Sequence, residues 1–317
     1  MTRPLNKESL NSIFEGFIEH SPWRGFPAIS SSEHKNIFYN EITRAHSNGT
    51  VTLDSSIDPQ LAFASQQLDW DTNHFGMPMG RIQFYHCQDM QLTKAKVFIG
   101  KALDELDKHS PIRHYVTEVD SNDYLSLNAL VANGFEILDT KKIYCFKKHQ
   151  PDTNPKFSSM VRPYRKEDYQ RVMQIVESTN FPSRFTRDPY LNPHKCRDLK
   201  TLWFSNLLKE SSRNLAFVFE RLGVIESCGA ISSIDENTLG IPKKILYGGL
   251  FASTKKGTGS YLPVMKKLVT HGMASHDCGA TVVSINNSAP QRVIDSCFSF
   301  NSPLYRHVLR RYYEKNF

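Results

Sequence analysis

Two glycines between an apolar strand and an apolar-periodic helix carry the most specific chemistry in this chain. The segment Leu250 to Leu262 reads LFASTKKGTGSYL, with Gly257 and Gly259 two residues apart. Ahead of it, Ile245-Leu246-Tyr247-Gly248-Gly249-Leu250-Phe251 reads as a strand with a glycine pair inside. A strand, a glycine turn and a helix aim backbone N–H groups at a phosphate. Glycine lets the backbone approach closely, and the helix N-terminus adds partial positive charge. Lys255 and Lys256 stand beside the turn. A diphosphate is the expected ligand, and a plain glycine turn is the alternative. No Gly-Lys-Ser/Thr follows, so this is not a P-loop. No G-x-G-x-x-G is present, so it is not a dinucleotide fingerprint.

The elements that must position this turn are bounded by length and composition. At 317 residues, two domains are expected. The composition, 39% hydrophobic and 22% charged, is that of a globular protein. No run of 18 apolar residues exists, so no membrane span is expected. The start, MTRPLNKESLNSIF, has no long apolar stretch and no cleavage signature, which predicts a cytoplasmic protein. Cys87, Cys145, Cys196, Cys228, Cys278 and Cys297 are scattered without a C-x-x-C, as reduced thiols are, and no metal site is expected. The histidines form no H-E-x-x-H, and His194 and Cys196 are too close for a usual zinc pair. No G-x-S-x-G is present, which disfavours a serine hydrolase. The net charge of +7 is spread out, which suits small polyanions better than nucleic acid.

Residues 148–160, KHQPDTNPKFSSM, are polar with two prolines and read as a linker. Each half ends alike. In the first, His114 to Val119 reads as a strand. Ser121 to Asn133 follows as a helix, with Tyr124, Leu127, Leu130 and Val131 on one face. Ser121 or Asp120 is the candidate cap, and Gly134 the candidate stop. Phe135 to Phe146 returns as a strand. In the second half, Ala280 to Ile285 reads as a strand, Ser288 to Cys297 follows, and Tyr305 to Tyr313 is the last strand. Two copies of one mixed α/β fold are expected, over 1–150 and 160–317, with one cofactor site in the second. Residues 1–50 show no strong pattern.

Several segments resemble one family. The turn before Gly259 resembles the pyrophosphate loop of the GNAT acyl-CoA N-acetyltransferases, except that the family prefers Gln or Arg where Thr254 stands. Leu68-Asp69-Trp70-Asp71-Thr72-Asn73-His74-Phe75-Gly76 resembles the opening motif of the family's amino-sugar branch. Asp139-Thr140 after Gly134-Phe135 resembles the end of that branch's first half. Phe181 to Pro189, with Trp203 fourteen residues on, is similar to the start of its catalytic half. Asn287 through Arg306 can be laid without gaps on the tail of the dTDP-fucosamine acetyltransferases. Together these span residues 68–310.

The resemblance implies tandem GNAT-like domains, the first degenerate and helping to form the acceptor cleft. The second would hold acetyl-CoA between two splayed parallel strands. The acceptor would be the amine of a nucleotide-linked amino sugar; a homodimer is allowed. Leu250 and Phe251 would offer N–H groups to the thioester and pantetheine, or be ordinary core strand. Lys256, Gly257, Thr258, Gly259 and Ser260 would hold the pyrophosphate. Asn287 matches an Asn near the coenzyme arm, or ends a strand in a turn. The family's Tyr general acid is replaced here by Ile294, and the usual Gly-Phe after that helix is absent. Tyr305 is the substitute donor, or an aromatic packing on the sheet. Glu118 is a candidate acceptor-site carboxylate, or a solvated group. Arg184 and Asp188 line the acceptor site, with Arg184's fork suited to a phosphate, or pair with each other. The rival functions are acetylation of a protein or small amine, and ligand binding without turnover.

Overall fold

A computed structural model describes residues 7–47, 51–52, 60–147, 159–179, 182–209, 213–254, 260–297 and 303–314. Two helices lead, α1 (Lys7–His20) and α2 (Ser31–Ser47). The first half continues with β1 (Val51–Thr52), β2 (Leu61–Gln67), α3 (Asp69–Phe75), β3 (Met79–His86), α4 (Leu92–His109), β4 (His114–Asp120), α5 (Tyr124–Ala132) and β5 (Glu136–Lys147). The second half brings β6 (Val161–Pro163), α6 (Tyr169–Ser178), α7 (Arg184–Arg187), α8 (Pro193–Leu208), β7 (Asn214–Arg221) and β8 (Val224–Ile234). It ends with α9 (Glu236–Leu239), β9 (Ile245–Ser253), α10 (Tyr261–Met273), β10 (Cys278–Ser284), α11 (Ser288–Cys297) and β11 (Leu304–Tyr312). The linker segment falls, over residues 148–158, outside the described residues.

Among the described residues, eleven strands make one mixed sheet, in the order β1-β2-β3-β4-β11-β5-β10-β9-β8-β7-β6. The order crosses the halves. The last strand, β11, lies antiparallel between β4 and β5. β5 in turn pairs with β10 of the second half. Each half has therefore lent its final strand to the other. Hydrogen bonds run unbroken across the junction, so no sheet edge is left there to solvent.

Helices α4 and α5 cover one face of the first half, burying Phe98, Ile99 and Leu103 against Phe63, Ile82 and Tyr115. Helix α10 plays the same part in the second half, with Val264, Met265 and Leu268 set on Phe219, Ile231 and Leu246. Each such side chain taken from water contributes about 1.5–3 kcal/mol. Residues before 50, unassigned by pattern, pack on the sheet as well. Ile13, Phe14, Phe38 and Ile42 bury against Ala62, Ala64 and Tyr85. Phe26 and Ile37 reach Ile143, Cys145, Ile245 and Ala280. The leading segment thus touches strands of both halves.

Helix α5 departs from the pattern in two ways. Its cap is Asp123, which accepts from Ser126 N at 2.9 Å. Asp120 is engaged elsewhere, accepting from Arg24 at 3.1 and 3.2 Å and from Asn122 N. The face named from periodicity is borne out only in part. Leu130 is buried and Leu127 packs on the core, whereas Tyr124 and Val131 are exposed.

Candidate functional site

Strands β9 and β10 run parallel but pair only from Ile245 to Tyr247, opposite Cys278 to Ala280. Beyond that, β9 keeps β8 and β10 keeps β5, and a gap opens between them. The glycine pair sits where the gap begins. Ala230 faces Leu250 and Ser232 faces Tyr247, so Ile231 stands opposite both Gly248 and Gly249. This is a bulge, and its backbone has φ of 74° at Gly248 and 117° at Gly249. Side chains disfavour both values, and the bulge therefore needs glycine there. In an antiparallel ladder, neighbouring residues aim their amides to opposite sides. Of Leu250 and Phe251, one amide thus serves β8 and the other faces the gap. Phe146, Ile231, Phe251, Met265, Thr281 and Ile294 line the gap, which is mostly apolar.

The residues flanking 255–259 are tied to each other and to β8. Ser253 Oγ lies 3.1 Å from Ser260 Oγ, and Ser227 Oγ donates to the Ser260 carbonyl at 2.7 Å. Thr254 turns toward β8, its amide and hydroxyl both donating to the Glu226 carbonyl. Lys256, Gly257, Thr258 and Gly259 lie outside the described residues. Ser260 is buried and immediately precedes α10. The Phe251 and Tyr261 rings meet edge-on at 5.5 Å, joining the end of β9 to the start of that helix.

Asn287 lies past the end of β10, its amide donating to the Ser284 carbonyl in a turn. Gln291 locks this turn by donating to the carbonyls of Ser284, Ile285 and Asn287. Ile294, on α11, is 1% exposed and packs in the core against the gap. Tyr305 opens β11 opposite Lys142, with 38% of its surface exposed. Lys142 reaches Asp295 of α11 at 3.1 Å.

A second group of side chains gathers where the halves meet. Glu118 of β4 bonds to Lys141 of β5. Burial opposes its ionisation, but Lys141, Arg306 and Arg184 outweigh this and hold the carboxyl at about 2. Tyr247 has its hydroxyl pushed up to about 12, by burial and then by the Glu118 charge. It stands one residue before the bulge. Arg184 is presented by α7, whose start is fixed by Ser183 and Thr186 bonding each other's backbone. Its guanidinium lies over the Phe185 ring at 4.0 Å.

Asp188 does not pair with Arg184. It is buried, accepting from His114 Nε2 at 2.7 Å with Arg310 Nε at 3.6 Å. Burial raises the Asp188 pKa, yet the His114 bond and the Arg310 charge bring it below the usual range. Asp188 therefore braces the segment that carries Arg184 against β4 and β11.

The first half has its own parallel pair, β3 and β4, joined only from Met79 to Arg81. Here β2 and β3 pair without a register shift, so no bulge forms. Helix α1 lies over the gap, with Gly16 so near the His86 carbonyl that any Cβ would overlap it. His86 is buried there, its Nε2 3.1 Å from Asp123 and its Nδ1 2.7 Å from the Cys87 carbonyl. Two acceptors on one ring call for the imidazolium. Burial works against that charge, but Asp123 and the carbonyl raise the pKa above its ordinary value.

No protein-family profile and no curated protein matches the chain. Among solved structures, a GCN5-related N-acetyltransferase from Sphaerobacter thermophilus aligns with TM-score 0.52. The alignment covers 81% of this chain and 78% of that one, at 12% identity. The chain has the GNAT fold. A tandem GNAT protein from the clavulanic acid biosynthesis pathway is similar over 99% of this chain and 98% of its own, at 11% identity and TM-score 0.49. Saccharomyces cerevisiae N-myristoyltransferase, with bound myristoyl-CoA, is similar over 100% of this chain and 79% of its own, at 14% identity and TM-score 0.41. Among the described residues, no group of side chains is arranged to hold a metal, and no helix is long and apolar enough to cross a membrane.

Sequence reasoning passed over Arg81, Lys141, Tyr247 and Arg306 as functional candidates. Tyr247 had a signal, its place directly before a Gly-Gly pair inside a strand. The three cations had none, because only strand register brings them beside Glu118.

Proposed function

We propose that the chain is an acyl-CoA N-acyltransferase whose thioester sits in the gap between β9 and β10. The observation that carries this is the glycine bulge at the mouth of that gap, with the Ser253–Ser260 contact bringing the start of α10 close to the end of β9. A strand amide facing an apolar gap needs an acceptor, and a thioester carbonyl supplies one. The same amide stabilises the oxyanion that forms when an amine attacks. The C–N bond forms, the C–S bond breaks, and the amine's proton passes to solvent. The thiolate that leaves takes a proton from a donor or from water.

Acetyl is the proposed acyl group, and the amine of a nucleotide-linked amino sugar the proposed acceptor. The division into a degenerate first half and a working second half belongs to the same proposal. It is supported by the regular β2/β3 ladder, which forms no bulge. Asn287 and Ser260 are proposed to flank the coenzyme, and Tyr305 to supply the proton. Tyr247 is the alternative donor, because it stands one residue before the bulge.

Calorimetric titration with acetyl-CoA, paired with a thiol-release assay on amine acceptors, tests the proposal. The expected result is micromolar dissociation, about −8 kcal/mol. Absence of heat in a folded sample would overturn it. Binding without thiol release favours a ligand-holding protein, a reading that Ile294 in the core, where the family has a Tyr, also supports. Tyr305→Phe and Tyr247→Phe identify the donor, since the variant that loses turnover and keeps affinity has lost the proton.

A further inference from the structure

Strand register gathers five polar side chains on one face of the sheet at the junction of the halves. Arg81 is level with Val116, two residues before Glu118. Arg306 and Val308 oppose Asp120 and Glu118. Arg306 also opposes Lys141 across β5. Cys145, four residues after Lys141, opposes Ala280, which is level with Tyr247. Partners directly across a ladder share a face, as do residues two or four apart along a strand. Arg81, Glu118, Lys141, Tyr247 and Arg306 therefore look the same way. Helix α7 packs on β5 from this side, with Arg187 3.7 Å from Asp139, and brings Arg184 to the group. Glu118 and Arg306 also line a recess under α1.

The charges here do not balance. Lys141 takes Glu118, and Arg24 takes Asp120. Arg306 is 6% exposed; its Nη2 donates to the His20 carbonyl at 3.1 Å, and its Nε has no partner among the described residues. Arg184 and Arg81 make no hydrogen bond or ion pair among the described residues. Asp71, Glu118 and Asp188 are the carboxylates whose charge reaches Arg184. Burial lowers the Arg184 pKa; the Asp71 and Glu118 charges oppose this, and the Arg81 charge adds to it. Guanidiniums that repel are relieved by an anion from outside. A guanidinium binds carboxylate or phosphate through two parallel hydrogen bonds.

We infer that Arg81 and Arg184 form an anion-binding site for the acceptor, which carries a carboxylate or phosphate besides its amine. The inference rests on the acyltransferase reading, because Tyr247 and the bulge mark where the amine must arrive.

The test uses three probes on one skeleton: glucosamine, glucosamine 6-phosphate and glucosaminic acid. Each is titrated calorimetrically into the CoA-loaded protein and into Arg81→Ala and Arg184→Ala, with acetyl-CoA affinity measured separately. The expected result is that one anionic probe binds about ten- to hundredfold tighter than glucosamine. That advantage is lost in both variants, while acetyl-CoA affinity holds. Which anionic probe wins separates phosphate from carboxylate. Equal binding of all three probes, or a preference that survives both substitutions, overturns the site. Wild-type protein that binds no acetyl-CoA sinks the acyltransferase reading instead. The anionic probes are then titrated without coenzyme, where arginine-dependent binding upholds the site and its absence removes it. Arg81 is exposed, so its variant reports even if Arg184→Ala fails to fold.

Discussion

Replacing Gly249 by alanine separates a structural bulge from a working one. Its φ of 117° lies where side chains are strained. A Cβ there would stand 3.1 Å from the Ala230 carbonyl oxygen and 3.3 Å from the Phe251 ring. The carbonyl belongs to the β8 ladder and cannot swing aside, so the bulge must deform. Backbone strain of this kind costs about 1–3 kcal/mol. Unfolding entropy near 2.1 cal/mol/K per residue turns that into a fall in Tm of about 1.5–4.5 °C for a chain of this size. Gly223, in the β7–β8 turn, supplies the control. Its φ is 75° and a Cβ there meets nothing within 4 Å, so alanine costs about 1–2 kcal/mol without touching the gap. Both variants are expected to melt earlier. Only Gly249→Ala is expected to lose turnover, by about 10²–10³-fold, the loss on removing one oxyanion donor. Thermal melts and thiol-release kinetics on both variants are the assay. Full turnover in Gly249→Ala would refute the assignment, and equal loss in Gly223→Ala would show that the effect is global.

Glu118 ionises at about 2, below the ordinary carboxylate value, so its contribution to stability is complete above about pH 4.3 and lost as pH falls toward 2. Glu118→Gln should therefore be less stable than wild type at pH 6, with the difference closing in acid melts; a constant difference would contradict the Lys141 pairing. His86 has a raised pKa, so the stability from its charged form is present below about pH 6.5 and lost as pH rises through the folded value. Asp123→Asn keeps the α5 cap but removes the charge, and should lower the His86 titration midpoint by NMR; an unmoved midpoint would exclude the pair. Gly16→Ala forces α1 off the His86 carbonyl and should cost about 1–3 kcal/mol in denaturant unfolding, whereas a neutral result would mean the helix slides freely.

The glycine segment was legible because two independent signals coincide there, an apolar run with a Gly pair and a helical period after a Gly turn. The α5 cap was misassigned because Asp120, Ser121, Asn122 and Asp123 all suit a cap. The choice is made by Arg24, ninety-six residues away, which draws Asp120 off. The buried face of α5 was read only in part because that helix, YLSLNALVA, is apolar on most sides and periodicity cannot choose among them. Residues 1–50 were silent because α1 and α2 bury against strands that no local pattern announces. Arg81 and Arg306 are ordinary alternating strand residues; only the pairing of β3 with β4 and of β4 with β11 brings them beside Glu118.

The exchange of final strands explains why the two sites occur together. Without β11, the first half would leave β4 and β5 unjoined, because β11 lies between them. Without β5, the second half would leave the open side of β10 unpaired, and β10 is one wall of the gap. The charged face draws Glu118 and Arg81 from the first half, Arg306 and Arg184 from the second, and Lys141 from the strand between. The bulge stands at the edge of that face, through Tyr247. On the proposed reading, an acceptor on the charged face would be held against both halves at once, with its amine toward a gap bounded by the same exchanged strands. Positioning of this kind needs no dedicated general acid in α11, since orientation alone supplies much of an acyl-transfer rate. The isoleucine at 294 is then a core residue sealing the apolar side of the gap.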